Sequence, residues 1–178
     1  MDDDGLRPED AFTIAPDGEN EPREILERLE KLDEFKHLRE GEAVFLFLMR
    51  AETKIKQGRH ILGEVGLPRF QGAYAPLAMW MLARMCGGIV PDFIMILDAG
   101  WWAYATPIKR EALIYHELCH CVQATDKEGE PRFNDAGFPV WAIQGHDIEE
   151  FNAVARRYGA WEAGIQSFIE ALRDGKAI

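Results

Sequence analysis

The amino-acid sequence predicts an α+β domain in which a small sheet packs on two helices. Residues 90–97 form a nearly continuous apolar run, as expected of a strand that is covered on both faces. Thr106 and Pro107 are residue types that open a helix, and the apolar repeat after them runs to about Gln123. A second, longer helical repeat begins after Gly145. Strands and helices mixed along one chain in this way favour the α+β class.

The other elements follow from periodicity and from the glycines and prolines at their ends. Apolar residues at three- and four-residue steps predict one helix over residues 22–39, and Gly41 follows its end. The pattern then predicts, in order, a short strand or helix start at 44–49, a strand at 59–65, a helix at 77–85 after Pro76, a turn region at 98–105 and a short strand at 140–143. Gly159 and Gly164 predict a break within the C-terminal repeat.

Composition indicates the domain organisation. The chain has 178 residues, of which 47% are apolar and 29% charged, so we expect one globular domain over residues 23–178. Residues 1–22 hold eight acidic residues and one arginine, a net charge of −7 out of the total of −11. This segment also has three prolines and two glycines, which is typical of an acidic disordered tail.

Composition also excludes several partners. The chain after residue 22 carries the remaining charge of −4, so it lacks the excess of lysine and arginine that a nucleic-acid surface needs. No apolar run approaches the roughly 20 residues that span a bilayer, so no membrane partner is expected. Three cysteines and an N-terminus that begins Met1-Asp2-Asp3-Asp4 predict a protein of the reducing cytoplasm. The oligomeric state is not predicted.

The most specific chemical signal is His116-Glu117-Leu118-Cys119-His120, inside the predicted helix. Two histidines four residues apart lie one above the other on a helical face and can bind one metal ion. Glu117 lies beside that face, where it can take a proton from a metal-bound water as general base. The helix is apolar around much of its circumference, so a metal would also satisfy the polar atoms of the two imidazoles.

A catalytic zinc site has three protein ligands and one open position. His146, at the entrance of the C-terminal helix, is the preferred third ligand. Glu150 is its competitor, because a glutamate on a second helix also completes such sites. Asp147 and Glu150 have the spacing of a capping box, however, which accounts for Glu150 without a metal. Glu149 is a further candidate, either as ligand or as the acceptor of a hydrogen bond from a ligand imidazole.

The remaining cysteines and histidines have simpler interpretations. Cys119 and Cys121 do not share the helical face of the motif histidines, so we interpret them as small core residues. Cys86 is interpreted in the same way. His37 and His60 have no spacing relation to the motif and are interpreted as solvated or core residues.

These residues resemble those of known enzymes. The motif at 116–120, the turn Gly145-His146-Asp147 and the later Phe151 are similar to the zincin metallopeptidases of the SprT-like type. The phage metallopeptidase family, found in phages and bacterial prophages, is a closer likeness. Its similarity is carried by residues 110–121, 145–151 and 156–159 and by the apolar strand before the motif helix. The resemblance covers roughly residues 42–160.

The resemblance implies a zincin-like metallopeptidase domain with one zinc ion per chain, bound by His116, His120 and His146. It implies that a zinc-bound water, activated by Glu117, hydrolyses peptide bonds of a protein or peptide substrate in a bacterial or phage-infected cell. The alternative is a non-catalytic zinc-binding module that binds another protein. A metal-dependent hydrolase of a non-peptide bond is a third, weaker interpretation.

The sequence departs from the SprT-like pattern at the end of the motif region. Phe151 lies five residues after His146, where the SprT-like pattern has four, which keeps Glu150 open as a ligand. The chain has no zinc-ribbon cysteines and no basic extension, so the resemblance does not imply a DNA-coupled role.

Residues 93–97 could pair with an extended substrate if one edge of that strand is exposed. Candidates to hold the oxyanion are Tyr115, Arg157 and Tyr158.

Overall fold

The computed structural model describes residues 10–148, 152–161 and 163–175. The chain divides into two compact units, Met1–Gln144 and Gly145–Ile178. The described part of the first unit contains the strands β1 (Phe12–Ile14), β2 (Phe45–Arg50), β3 (Lys54–Lys56), β4 (Arg59–Ile61), β5 (Gly63–Gly66), β6 (Phe93–Asp98), β7 (Cys121–Gln123) and β8 (Trp141–Ile143). Its helices are α1 (Pro22–Leu29), α2 (Lys36–Glu40), α3 (Ala75–Met85), α4 (Ala99–Tyr104) and α5 (Pro107–Cys119), and the second unit contains α6 (Asn152–Tyr158) and α7 (Ala163–Asp174). This is a mixed α/β structure with small sheets. None of the helices in the described ranges is long and apolar enough to cross a membrane.

The main sheet has the strand order β1-β2-β6-β5. β2 and β6 are parallel, with Phe45 opposite Phe93, whereas β1 and β5 are antiparallel to their neighbours. β6 therefore has a partner along each edge, which confirms the predicted inner strand. Residues 93–97 were expected to pair with a substrate only if one edge of the strand is exposed. This condition is not met, because β2 and β5 occupy both edges of β6.

One face of this sheet forms the hydrophobic core. Alternate residues of the two central strands are buried on that face, as the two-residue period of a strand requires, namely Phe45, Phe47, Met49, Phe93, Met95 and Leu97. Ile25 of α1 and Ile114 and Leu118 of α5 pack into the same cluster. The helix that carries the histidine motif therefore packs on the sheet, as predicted.

The N-terminal segment is more ordered than predicted. Phe12 pairs with Arg50, which joins β1 to the edge of β2. Glu21, just before α1, accepts a hydrogen bond at Oε1 from Nη1 of Arg110 on α5 at 2.9 Å. The predicted disorder is therefore wrong for these residues, because strand pairing and a half-buried ion pair hold them. Residues 1–9 lie outside the described part of the chain, and the single domain expected over 23–178 stays a prediction.

The helix predicted over residues 22–39 is divided into α1 and α2. Leu32 has extended torsions, with φ −71° and ψ 148°, and a short 3-10 turn follows it before α2 begins. Leu32 is 40% exposed, whereas Phe35 and Leu38 are each 2% exposed. The break buries these two side chains in the core, and burial outweighs the helical periodicity of the segment.

Other predicted elements are confirmed with altered bounds. The run at 44–49 is the strand β2 and not the start of a helix. Residues 59–65 divide between β4, which pairs with β3 as a hairpin, and β5 of the main sheet. α3 contains the helix predicted at 77–85.

The predicted turn region at residues 98–105 is the helix α4. Asp98 caps this helix, because its Oδ1 accepts a hydrogen bond from the Trp101 N–H at 2.7 Å. The side chain is 1% exposed, and its Oδ2 has no hydrogen-bond partner among the described residues. The segment is short and contains Gly100, so its sequence has no helical period that would reveal it.

We expect Asp98→Ala to lower the free energy of unfolding by about 1–2 kcal/mol, because the helix loses its cap. Asp98→Asn keeps an oxygen that can accept from the Trp101 N–H, so its loss should be smaller. Urea denaturation of both variants beside the wild-type protein measures the difference. Equal losses in the two variants would show that capping is not what Asp98 contributes.

In the second unit, α6 ends at Tyr158 and α7 begins at Ala163. Gly159 follows α6 with φ +66°, in the left-handed region that glycine adopts readily. The predicted break in the C-terminal repeat is therefore confirmed. The long C-terminal helix of the predicted fold is instead two shorter helices.

Candidate metal centre

The motif helix α5 is shorter than predicted. It begins with Pro107 in its first turn and ends at Cys119, whereas the sequence pattern runs on to Gln123. Residues 121–123 leave the helix because they pair with β8, Cys121 opposite Ile143 and Gln123 opposite Trp141. The apolar repeat does not distinguish these residues from a further helical turn, since their partner strand is distant in sequence.

His116 and His120 lie one helical turn apart. Their ring centroids are 5.1 Å apart and their planes are inclined at 83°. His120 follows the last residue of α5, but its torsions, φ −75° and ψ −20°, are still helical. The four-residue spacing therefore brings the two rings together as it would inside a helix.

Gln144 orients the His120 ring, which sequence reasoning missed. Nδ1 of His120 lies 2.8 Å from the carbonyl oxygen of Gln144, and this carbonyl can only accept, so Nδ1 carries the proton. The neutral imidazole then has its lone pair on Nε2, the atom that can bind a metal. The Gln144 side chain donates to the Cys119 carbonyl at 2.6 Å, and its backbone N–H donates to the His120 carbonyl at 2.9 Å.

His146 completes a group of three histidines. His116, His120 and His146 each offer one ring nitrogen, and these atoms lie within 4.8 Å of one another. His146 follows the anchored Gln144 by only two residues, which keeps the chain near His120. Three imidazoles at this separation could hold a metal ion. The competing candidates Glu149 and Glu150 lie outside the described residues, as does Phe151.

Glu117 is buried beside the two helical histidines, with 4% of its surface exposed. Burial is the main reason that the pKa of its carboxyl is raised to about 7, and the Glu64 carboxylate raises it as well. The nearby His120 and a backbone hydrogen bond with Val65 lower that pKa. A buried carboxyl that titrates near neutrality is suited to proton transfer, and a cation beside it would favour the charged form.

The cysteines differ from one another. Cys121 is buried, as predicted, and burial raises the pKa of its thiol well above the usual range. Its Sγ lies 3.5 Å from the Glu117 carbonyl oxygen. Cys119, the last residue of α5, is exposed, so its interpretation as a core residue is wrong. Cys86 is partly buried, and burial raises its thiol pKa.

Two further side chains near the motif have structural partners. His37 of α2 donates from Nε2 to the carbonyl oxygen of Cys121 at 2.8 Å, which holds α2 against β7. The Tyr115 hydroxyl donates to Glu34 at 3.0 Å, and burial raises the pKa of Tyr115 to about 12. This bond directs the hydroxyl to a carboxylate and weakens the case for Tyr115 as an oxyanion donor. His60 is solvent-exposed on β4.

The fold and the histidine group define a mixed α/β protein whose His-Glu-x-x-His helix could hold a metal ion. The chain belongs to the family described as Putative phage metallopeptidase, whose family model matches residues 17–173. This confirms the resemblance inferred from the motifs, and the match extends beyond residues 42–160 at both ends. None of the curated proteins and none of the solved structures compared with this chain matches it.

Proposed function

We propose that this protein is a zinc-dependent metallopeptidase, with His116, His120 and His146 as metal ligands and Glu117 as general base. One observation carries the proposal. Three imidazole nitrogens lie within 4.8 Å of one another, beside a buried glutamate, in a chain of a metallopeptidase family. The substrate class, a protein or peptide, follows from the family.

The chemistry of the three donors favours zinc. Imidazole nitrogens suit zinc, whereas magnesium and calcium prefer oxygen ligands. With these three side chains as ligands, a bound zinc would keep a coordination position open for water or substrate. When bound, zinc supplies a Lewis acid that polarises a carbonyl and lowers the pKa of a water toward about 7.

Glu117 performs the proton transfers. Its carboxylate takes a proton from the attacking water as the oxygen bonds to the scissile carbonyl carbon. It then delivers that proton to the amine nitrogen as the C–N bond breaks. The side chain is buried and its carboxylate lies against Gly63, which restricts its movement. A fixed base beside the metal ligands needs little rearrangement during the reaction.

The outer edge of β5 is the proposed binding surface for the substrate main chain, since no strand among the described residues pairs with it. The Leu62 carbonyl accepts from the Asp98 N–H at 2.8 Å, so residues 62, 64 and 66 direct their backbone groups toward β6. Gly63 and Val65 therefore direct theirs away from β6, toward the side of Glu117. The Val65 N–H already faces Glu117, so an extended peptide would pair with this edge through the Gly63 backbone and the Val65 carbonyl, regardless of its sequence. We therefore propose that the substrate main chain pairs with β5 and not with residues 93–97.

Removal of the metal tests the proposal. We expect the purified protein to contain about one zinc per chain, as expected of a three-ligand site. A chelator should abolish cleavage of a peptide library, and zinc should restore it in proportion to occupancy, whereas magnesium should not. Mass spectrometry of the cleaved peptides is the measurement. One zinc per chain with no cleavage of any peptide would instead support the non-catalytic module.

A further inference from the structure

The Glu117 carboxylate packs against the first residue of β5, which is a glycine. An ideal Cβ placed on Gly63 would lie 2.8 Å from Oε1 of Glu117 and 3.2 Å from its Cδ. The same atom would lie 3.1 Å from Cδ1 of Leu113. The optimal separation of non-bonded heavy atoms is about 3.5–4.0 Å. The carboxylate therefore occupies space that any other side chain at this position would need.

Backbone conformation does not explain the glycine. Gly63 is not among the residues with positive φ, so an L-residue could adopt its torsions without strain. A glycine within a strand weakens that strand by about 0.5–1 kcal/mol relative to alanine, and β-branched residues are usually preferred there. The close approach of Glu117 is the feature that requires a missing side chain at this position.

We propose that Gly63 is a positioning residue for Glu117. The absence of a side chain at Gly63 leaves the space that the Glu117 carboxylate occupies. A methyl group there displaces the end of the Glu117 side chain, which rotates more easily than the strand or helix moves. This inference rests on the proposed function, because it takes Glu117 to be the general base.

The kinetic test compares Gly63→Ala with Gly66→Ala. Both glycines lie on β5, and a Cβ on Gly66 would meet nothing within 4 Å, so it controls for the general effect of alanine in this strand. We expect Gly63→Ala to lower kcat by about 10–100-fold, the effect of a misplaced catalytic group, while KM and zinc content stay as in the wild type. Gly66 directs its backbone groups toward β6 and not toward the edge proposed for the substrate, so Gly66→Ala should match the wild type. Equal kcat values for the two variants would overturn the proposal.

A double-mutant cycle tests the same contact without any activity. Gly63→Ala should lower the urea midpoint of the metal-free protein more in the wild-type background than in Glu117→Ala, where the clashing carboxylate is absent. The contact with Leu113 is present in both backgrounds and cancels. If Gly63→Ala does not fold alone, recovery of folding in the double variant supports the proposal. Equal midpoint losses, or failure of both variants to fold, would overturn it.

The two tests separate this inference from the proposed function. A wild-type protein without peptidase activity would overturn the proposed function, and the double-mutant cycle would still decide whether Gly63 positions Glu117. Coupling in the cycle together with an unchanged kcat would overturn the positioning role in catalysis.

Discussion

Glu117→Gln is expected to slow peptide cleavage by about two to four orders of magnitude while zinc stays bound. A general base contributes roughly 100- to 10,000-fold to the rate, so kcat should decrease by a factor in that range. KM should change little. Glutamine has the size of glutamate and keeps an oxygen that can accept from Val65, so the fold should persist. Steady-state kinetics on a cleaved peptide, beside metal analysis of the same preparation, measures both effects.

The matched control is Glu111→Gln on the same helix. The Glu111 carboxylate pairs with Arg28 at 2.6 Å on the protein surface. This variant makes the same chemical change in α5 without touching the proposed site, so we expect wild-type kinetics. Undiminished cleavage by Glu117→Gln would contradict the role of Glu117 as the base.

His146→Ala is expected to weaken zinc binding by more than about 100-fold, because loss of a ligand should exceed the 10–100-fold effect of residues that only orient ligands. Cleavage should be lost at zinc concentrations that saturate the wild type. Equilibrium dialysis or competition with a chromophoric chelator measures the affinity.

Two variants make this result specific. His60→Ala removes an exposed histidine from β4 and should leave the zinc affinity unchanged. Glu150→Ala should also retain zinc if His146 is the third ligand. Release of zinc from Glu150→Ala, with retention by His146→Ala, would show that the glutamate completes the site.

The parts of the fold that depend on local pattern were predictable. The run at residues 90–97 is apolar on both faces, and β6 is an inner strand with two partners. The helical spacing of His116 and His120 depends only on backbone geometry, which is why the motif is recognisable from its residues alone. Burial of one sheet face against α5 follows from the same alternation and periodicity.

The parts that depend on distant residues were not predictable. α5 ends early because residues 121–123 pair with a strand that lies about 20 residues further along the chain. The helix over 22–39 breaks at Leu32 so that Phe35 and Leu38 reach the core. Tertiary burial and pairing decide such bounds, and they leave no periodic signal.

The same distinction applies within the candidate site. Histidine and glutamate side chains have recognisable chemistry, so the sequence could propose them. Gly63 acts because it has no side chain where the Glu117 carboxylate lies, and Gln144 acts because its backbone carbonyl accepts a hydrogen bond from His120. Neither has a residue type or spacing that indicates such a role. Their contribution depends on how the fold brings β5 to Glu117 and the segment after β8 to His120.

A crystal structure of the zinc-loaded protein with a bound peptide hydroxamate tests the central claim most directly. We predict one zinc ion bound by a ring nitrogen of each of His116, His120 and His146, at about 2.0–2.1 Å. The hydroxamate should occupy the remaining coordination positions of the zinc, and the Glu117 carboxylate should be hydrogen-bonded to it. The peptide part of the inhibitor should lie along β5. Zinc bound at other residues, or Glu117 acting as a ligand instead of a base, would contradict the account.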